Sequence, residues 1–299
     1  MNQNFSYLVP AVTAFQKDGS LDRKANQAVW DYLIQSGVDG IVLLGSTGEF
    51  FSLSPEQKRL VIDWASETIS NRTRLLVGTG GMDVSETIEL TRYAAEHGAD
   101  GALVISPYYF SLSDQSIEAF YSRIADQSGI PIYLYNFPDR TGYDLNLEVT
   151  LRLLRRHPGI AGYKDSTSHM AHTRDLIRGI HSEFPAFEIY SGFDDNFAHT
   201  ILSGGNGAIG ALANLCPELT SSFCRSIKSG DMAQAAENQE KIDRLMKLYT
   251  YDVPFLSAIK YAMKLRGVPI QEYSTFPFLP LRQEVKTQLE HLLRQENLI

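Results

Sequence analysis

The chain has 299 residues, a length that two average domains or one closed barrel of alternating strands and helices would use equally well. Hydrophobic content of 43% against 21% charged residues, with ordinary glycine and proline, describes a globular protein with enough apolar surface for a large core and argues against disorder. A formal net charge of −8 without any basic tract or stripe excludes nucleic acid as a natural partner.

The opening residues, MNQNFSYLVPAVTAF, have no positively charged segment leading into a long apolar one. No apolar stretch approaches the roughly 20 residues of a membrane helix, so no membrane association and a cytoplasmic location are expected. Short apolar runs then alternate with helical stretches: LVPAVTAF, GIVLLG, RLLVGTG, GALVISP, PIYLYNF, GIAGYKD, FEIYSG and GAIGAL. About eight strands, apolar along their whole length, suit a parallel (β/α)8 TIM barrel whose strands are buried on both faces. Between them, Ser54 and Gln57 form a capping box around Pro55, ahead of an apolar stripe of Leu60, Val61, Trp64 and Thr68. Asp83 and Glu86 repeat the device, and Gly37, Gly98 and Gly129 stand where helices should end.

GVDGIVLLG, GADGALVIS and GGNGAIGAL share a Gly-x-Asp/Asn-Gly turn that runs into an even-numbered strand. Their unequal spacing excludes a solenoid. Strand signals stop after about residue 213, and Pro217 to Gly230, Asp231 to Tyr249, Val253 to Arg266 and Leu281 to Gln295 have helical patterns. The expected organisation is a barrel core over 1–213, then the last barrel helix and a helical C-terminal extension over 214–299, with no linker.

In such a barrel the chemistry lies at the C-terminal ends of the strands. Those ends are polar here: Gly45-Ser46-Thr47-Gly48-Glu49, Ser106-Pro107-Tyr108-Tyr109, Tyr135-Asn136-Phe137-Pro138, Tyr163-Lys164-Asp165-Ser166 and Ser191-Gly192-Phe193-Asp194-Asp195. Lys164 ends an apolar strand from which a lysine does not easily reach water, and desolvation favours the neutral amine that attacks carbonyls. A lysine at the strand mouth that pairs with Asp165 or Asp194 and does no chemistry fits the same position. Tyr135 could pass a proton as general acid and base, or pack in the core with its hydroxyl on backbone. A buried amine, a phenol, the hydroxyls of Ser46 and Thr47 and the donors of a glycine-rich turn would together orient a small carboxylate and its 2-oxo group.

Other features carry less chemistry. Gly78-Thr79-Gly80-Gly81 lacks the lysine of a phosphate loop and the spacing of a dinucleotide fingerprint, which leaves an ordinary connecting loop. His169 and His172 stand three apart with no third ligand, and Cys216 and Cys224 have no metal-ligand spacing, so reduced packing cysteines and neither metal nor cofactor are expected.

Taken in order, Gly45-Ser46-Thr47-Gly48-Glu49, Tyr135-Asn136-x-Pro138 and Gly162-x-Lys164-Asp165 resemble the dihydrodipicolinate synthase and N-acetylneuraminate lyase family of pyruvate-dependent class I aldolases. The resemblance runs through the barrel and, more loosely, the C-terminal helices. It implies that Lys164 forms a Schiff base with pyruvate or another 2-oxo acid, that Tyr135 transfers protons, and that Ser46 and Thr47 bind the pyruvyl carboxylate, with Thr47 in the proton relay. Gly48, Gly192 and Ile209, at the ends of strands two, seven and eight, join the substrate-binding set. Tyr109 resembles the tyrosine that one subunit inserts into its neighbour's site, which implies a homotetramer built as a dimer of dimers.

Within the family, Arg140 matches the arginine with which the synthases hold the carboxylate of aspartate semialdehyde, although a guanidinium would equally meet hydroxyls. Against a synthase stand Ser46 in place of the usual first threonine, Met82 near an inhibitor-binding asparagine, and the missing Arg-x-Pro tail motif near Tyr273 to Pro280. Tyr135-Asn136-Phe137-Pro138 and Gly192-Phe193-Asp194-Asp195 look closer to 2-keto-3-deoxy sugar-acid aldolases, with Asp194 and Asp195 as acceptors for sugar hydroxyls. Ala211 falls where sialic acid lyases carry a hydroxyl. The expected enzyme therefore cleaves or forms a C–C bond of a 2-keto-3-deoxy sugar acid from pyruvate and an aldehyde. The synthase, the N-acetylneuraminate lyase and, outside catalysis, a small-acid sensor or inactive paralogue are the alternatives.

Overall fold

Each of the eight apolar runs becomes a strand in the computed structural model, which describes residues 5–299. These are β1 (Ser6–Pro10), β2 (Gly40–Leu43), β3 (Arg74–Gly78), β4 (Gly101–Ile105), β5 (Ile132–Asn136), β6 (Ile160–Asp165), β7 (Glu188–Ser191) and β8 (Gly207–Ile209). They pair in chain order and close into a parallel barrel, the predicted (β/α)8 fold. The first run was expected to stay extended to Phe15, but β1 stops at Pro10, and Phe15 instead bridges to Leu21.

Helices fill the intervals: α1 (Arg23–Gln35), α2 (Pro55–Ile69), α3 (Val84–Glu96), α4 (Asp114–Ala125), the single turn α5 (Pro138–Thr141), α6 (Leu147–Arg156), α7 (Met170–His181) and α8 (Phe197–Leu202). After β8 come α9 (Pro217–Ser229), α10 (Met232–Leu245), α11 (Leu248–Tyr251), α12 (Leu256–Leu265) and α13 (Gln283–Gln295), where helical patterns were predicted. The capping box forms at Ser54 and Gln57, and the Asp83 carboxylate accepts from the N–H groups of Ser85 and Glu86. On α2 the buried stripe is Val61, Ile62, Ala65 and Ile69; of the predicted stripe only Val61 is in it, since Leu60 is exposed and Trp64 and Thr68 are half-buried. Gly37, Gly98 and Gly129 follow helix ends with φ of 76°, 82° and 72°, a left-handed backbone that glycine adopts without strain.

The shared turns have a common task. Asp39 accepts from the Tyr7 N–H at 2.8 Å, Asp100 from the Leu75 N–H at 2.7 Å, and Asn206 from the Ile189 N–H at 3.0 Å. Each acidic or amide side chain before an even strand thus takes a donor near the start of the preceding odd strand.

The chain divides into two compact units, one of Arg74–Ile209 with the segment up to Ser6, the other of Tyr7–Thr73 with Gly210–Ile299. In the second, α9 packs on α10 and α12 on α13. In the first, strand side chains alternate between two layers. Ala102, Val104, Ile132, Leu134, Ile160, Tyr163 and Ile189 pack outward with Ile117, Tyr121, Val149, Leu153 and Ile177 from the helices. Tyr133, Tyr135, Gly162, Lys164, Glu188 and Tyr190 take the opposite face, paired Tyr133 with Gly162, Tyr135 with Lys164, and Lys164 with Tyr190.

The parity of β6 requires one irregularity. Ile132 pairs with Ile160 but Tyr133 pairs with Gly162, so Ala161 is an extra residue, a bulge, and beyond it the faces exchange. Below Lys164, Tyr133 crosses the space that a side chain at 162 would fill: a Cβ on Gly162 would lie 2.4 Å from two Tyr133 ring carbons. Tyr133 is locked by Glu188 at 2.8 Å and by Arg74, which also reaches Glu188 at 2.7 Å and the Tyr190 hydroxyl at 3.1 Å. Burial, with the Glu188 charge beside it, pushes the Tyr190 phenol up to about 12. Gly162→Ala is expected to lower stability by about 1–3 kcal/mol, the usual worth of overpacking, and Tyr133→Leu in the same chain should recover part of it, as a double-mutant cycle in urea would measure.

Candidate active site

Two groups of predicted site residues stand at strand ends, one in each compact unit. In the first unit, Lys164 and Tyr135 are cross-strand partners on the same face, only 5% and 4% exposed. The Lys164 Nζ lies 4.5 Å from the centroid of the Tyr135 ring. Among the described residues no carboxylate pairs with it. The alternative in which Asp165 neutralises the amine does not form, because adjacent side chains on a strand face opposite ways. Asp165 instead accepts from Asn136 Nδ2 at 2.9 Å and Thr173 Oγ1 at 2.6 Å and contacts His172 Nδ1 at 3.0 Å. One buried carboxylate therefore ties the end of β5 and the first turn of α7 to the end of β6.

Phe137 stacks near Tyr135, with ring centroids 6.0 Å apart, and Phe193 meets it edge-on at 6.5 Å. Arg140, exposed on α5, lies over the Phe137 ring at 5.3 Å. A Cβ on Gly192 would stand 1.8 Å from Ser166 Oγ, so only glycine fits there. Asp194 is buried in a short 3-10 turn and Asp195 is exposed beside it, while Ile209 is buried at the end of β8. Tyr109 and Phe110 form an edge-on pair after β4, 83% and 73% exposed. His169 and His172 do not converge on a third ligand, and no group of three or more metal-capable side chains occurs among the described residues. Cys216 and Cys224 are buried and form no disulfide among the described residues; the Cys216 thiol donates to the Leu212 carbonyl and the Cys224 thiol to the Asp39 carboxylate.

In the second unit, β2 ends in a tight turn whose Gly48 N–H donates to the Gly45 carbonyl at 3.0 Å and whose Glu49 N–H donates to the Ser46 carbonyl at 3.2 Å. Thr13 Oγ1 holds the Gly48 carbonyl at 2.7 Å, and a Cβ on Gly48 would come within 3.1 Å of the Ala11 carbonyl oxygen. Leu44 and Glu49 bracket the turn with φ of 52° and 58°, a backbone that side-chain-bearing residues rarely adopt. Thr47 is buried and Ser46 half-buried. Neither their N–H groups nor their hydroxyls have a hydrogen-bond partner among the described residues. Adjacent N–H and O–H donors with no acceptor are what an anion such as a carboxylate requires.

Three features escaped sequence reasoning: the Asp165 hub, the Arg74–Glu188–Tyr133–Tyr190 cluster, and a buried ion pair of Glu49 with Lys260 on α12. Lys260 did carry a signal. It lies among Leu256, Ala258, Ile259, Ala262 and Met263 in an apolar helix, as Lys164 lies in an apolar strand.

A dihydrodipicolinate synthetase family model matches residues 4–296. The chain belongs to the dihydrodipicolinate synthetase family. A curated relative from Escherichia coli K12, "Probable 2-dehydro-3-deoxy-D-pentonate aldolase YjhH", is 37% identical over 298 residues, covering 99% of each chain. The crystal structure of YagE, a prophage protein of the dihydrodipicolinic acid synthase family from E. coli K12 in complex with pyruvate, superposes with a TM-score of 0.96 at 36% identity, again over 99% of each chain. Dihydrodipicolinate synthase from Aquifex aeolicus follows with a TM-score of 0.92 at 26% identity over 98% of each chain. As a member of this family, the chain shares its fold with proteins on both sides of the synthase and aldolase division. No helix among the described residues is long and apolar enough to cross a membrane.

The hub beside Lys164 gives a pH signature. Burial alone would lower the His172 pKa, but the hydrogen bond to Asp165 and its charge outweigh it, and the pKa is raised above the ordinary 6.5. A raised folded-state pKa contributes stability that is fully present below the unfolded value and is lost as pH rises through the folded one. His172→Ala is therefore expected to lower Tm more at about pH 5.5 than at about pH 8.5, measured by thermal melts across that range.

Proposed function

We propose that the chain is a class I aldolase that holds pyruvate, or the pyruvyl end of a 2-oxo acid, as a Schiff base on Lys164, and that its substrate is a 2-keto-3-deoxy sugar acid. The observation that carries this is the buried Lys164 amine, free of any carboxylate partner among the described residues and set beside the Tyr135 phenol. In the cleavage direction the amine attacks the C2 carbonyl, and loss of water leaves an iminium. A proton leaves the C4 hydroxyl, the C3–C4 bond breaks, and its electron pair moves into the iminium as an enamine while the aldehyde departs. Protonation at C3 and hydrolysis return pyruvate and the free amine. Tyr135 is assigned the proton transfers.

Ser46, Thr47 and Gly48 take the carboxylate in this reading, Thr47 also relaying protons, and the unpartnered donors of that turn support it. Asp194, Asp195, Gly192, Ile209 and Arg140 are assigned to the rest of the substrate. The sugar-acid choice draws on the name of YjhH and on the 37% identity to it, and the pyruvyl choice on the pyruvate complex of YagE. Tyr109 is assigned to a neighbouring subunit's site within a cytoplasmic homotetramer, a role that its 83% exposure and its pairing with Phe110 support.

Borohydride trapping with pyruvate, read by intact mass, is expected to give a covalent adduct that Lys164→Ala abolishes. Tyr135→Phe should keep the fold and lower turnover by about 100-fold or more. An adduct at full yield in Lys164→Ala would refute the assignment.

Substrate choice turns on Arg140. Against a neutral aldehyde fragment the guanidinium loses only a hydrogen bond of about 0.5–1.5 kcal/mol, against a carboxylate about 1.5–3 kcal/mol or more. With pyruvate and glyceraldehyde, Arg140→Ala is expected to lower kcat/KM by less than about tenfold. Turnover of aspartate semialdehyde alone, abolished by the same substitution, would establish a synthase instead.

A further inference from the structure

Glu49 and Lys260 share an ion pair in which neither side chain has any exposed surface. No step of the proposed chemistry uses them. Lys260 Nζ donates to Glu49 Oε1 and, at 2.8 Å, to the Tyr273 carbonyl, and it lies 4.7 Å from the centroid of the Phe15 ring. Glu49 Oε1 also accepts from Ser274 Oγ at 3.3 Å, while Oε2 accepts from the N–H of Thr275 at 3.2 Å and its hydroxyl at 3.4 Å. Burial lowers the Lys260 pKa, and the Glu49 charge opposes that shift only in part.

Stability does not account for such a pair. Desolvating two ions costs as much as their attraction returns in most proteins, and apolar side chains of similar volume would hold the fold as well. What the pair does fix is one backbone residue. Glu49 is where the chain leaves the Gly45–Gly48 turn, in a left-handed conformation that persists only where the surroundings impose it. Its N–H closes the turn on the Ser46 carbonyl, so the orientation of the Glu49 peptide sets the direction of the Ser46 and Thr47 donors.

We infer that Glu49 and Lys260 are positioning residues: their sealed ion pair holds the Ser46-Thr47-Gly48 turn in the geometry that receives the carboxylate of the 2-oxo acid. Carboxylate recognition then depends on an ammonium 211 residues further along the chain. The inference rests on the carboxylate-binding role proposed for that turn. It also predicts a split effect, because the amine and phenol of the chemical steps are not held by the pair.

The test uses the full chain and two variants, the apolar double Glu49→Leu/Lys260→Met and the near-isosteric Glu49→Gln. For the double variant, a Tm close to wild type is expected, together with a rise of roughly tenfold or more in the pyruvate concentration that half-saturates borohydride trapping, the worth of a misplaced charge-assisted contact. The adduct yield at saturating pyruvate should be retained, a division between binding and chemistry that simple unfolding does not produce. Glu49→Gln, which keeps the contacts to Thr275 but removes the charge, should fall between the two. Folded variants with wild-type half-saturation would overturn the inference, as would loss of the fold in both, which would make the pair a structural necessity. Wild-type protein that gives no adduct would count against the functional reading itself, whereas a wild-type adduct with unchanged variants counts against positioning alone.

Discussion

One extra residue in β6 decides which way the Lys164 amine faces. Ile160 belongs to the layer between strands and helices, and by strict alternation Lys164, four residues on, would belong there too. The bulge at Ala161 exchanges the faces, so Tyr163 enters the helix-side layer and Lys164 joins Tyr135 on the other. Asp165 is carried outward by the same shift, where Asn136, His172 and Thr173 hold it. The amine is thus separated by pleat geometry from the carboxylate next to it in sequence, on the opposite side of the sheet.

Beneath that pair lies a layer with another purpose. Arg74, Tyr133, Glu188 and Tyr190 satisfy one another's polar groups across three strands, and Gly162 makes room for the Tyr133 ring. A guanidinium meeting its carboxylate through two nitrogens, with phenols on the remaining positions, leaves few groups with incentive to rearrange. A rigid base of this kind suits the proposed chemistry, in which the amine and the phenol would keep their geometry while a Schiff base forms and decays.

Much of this was legible in the sequence. Eight continuous apolar runs gave the barrel, helix ends followed from glycine, and the polar strand ends located Lys164, Tyr135, Ser46 and Thr47 because each element was marked locally. The stripe on α2 was misjudged because Leu60 is apolar but exposed, and apolar character alone does not say which face is covered. Glu49 with Lys260 and the Arg74 cluster were invisible for another reason: their partners are joined by the fold and not by any spacing. The bulge at Ala161 left no mark either, since Ile160-Ala161-Gly162 is apolar in both registers.

The turns ahead of β2, β4 and β8 place Asp39, Asp100 and Asn206 on donors of the preceding odd strand, whereas the residue before β6 is Gly159, whose backbone carbonyl accepts the Ile132 N–H at 2.9 Å. Three strand pairs are therefore fastened at the rim opposite the strand ends that carry the candidate site residues. Such a division lets one rim drift under selection for new substrates while the other keeps the scaffold intact, and it offers a physical basis for how one barrel could serve enzymes as different as synthases and sugar-acid aldolases.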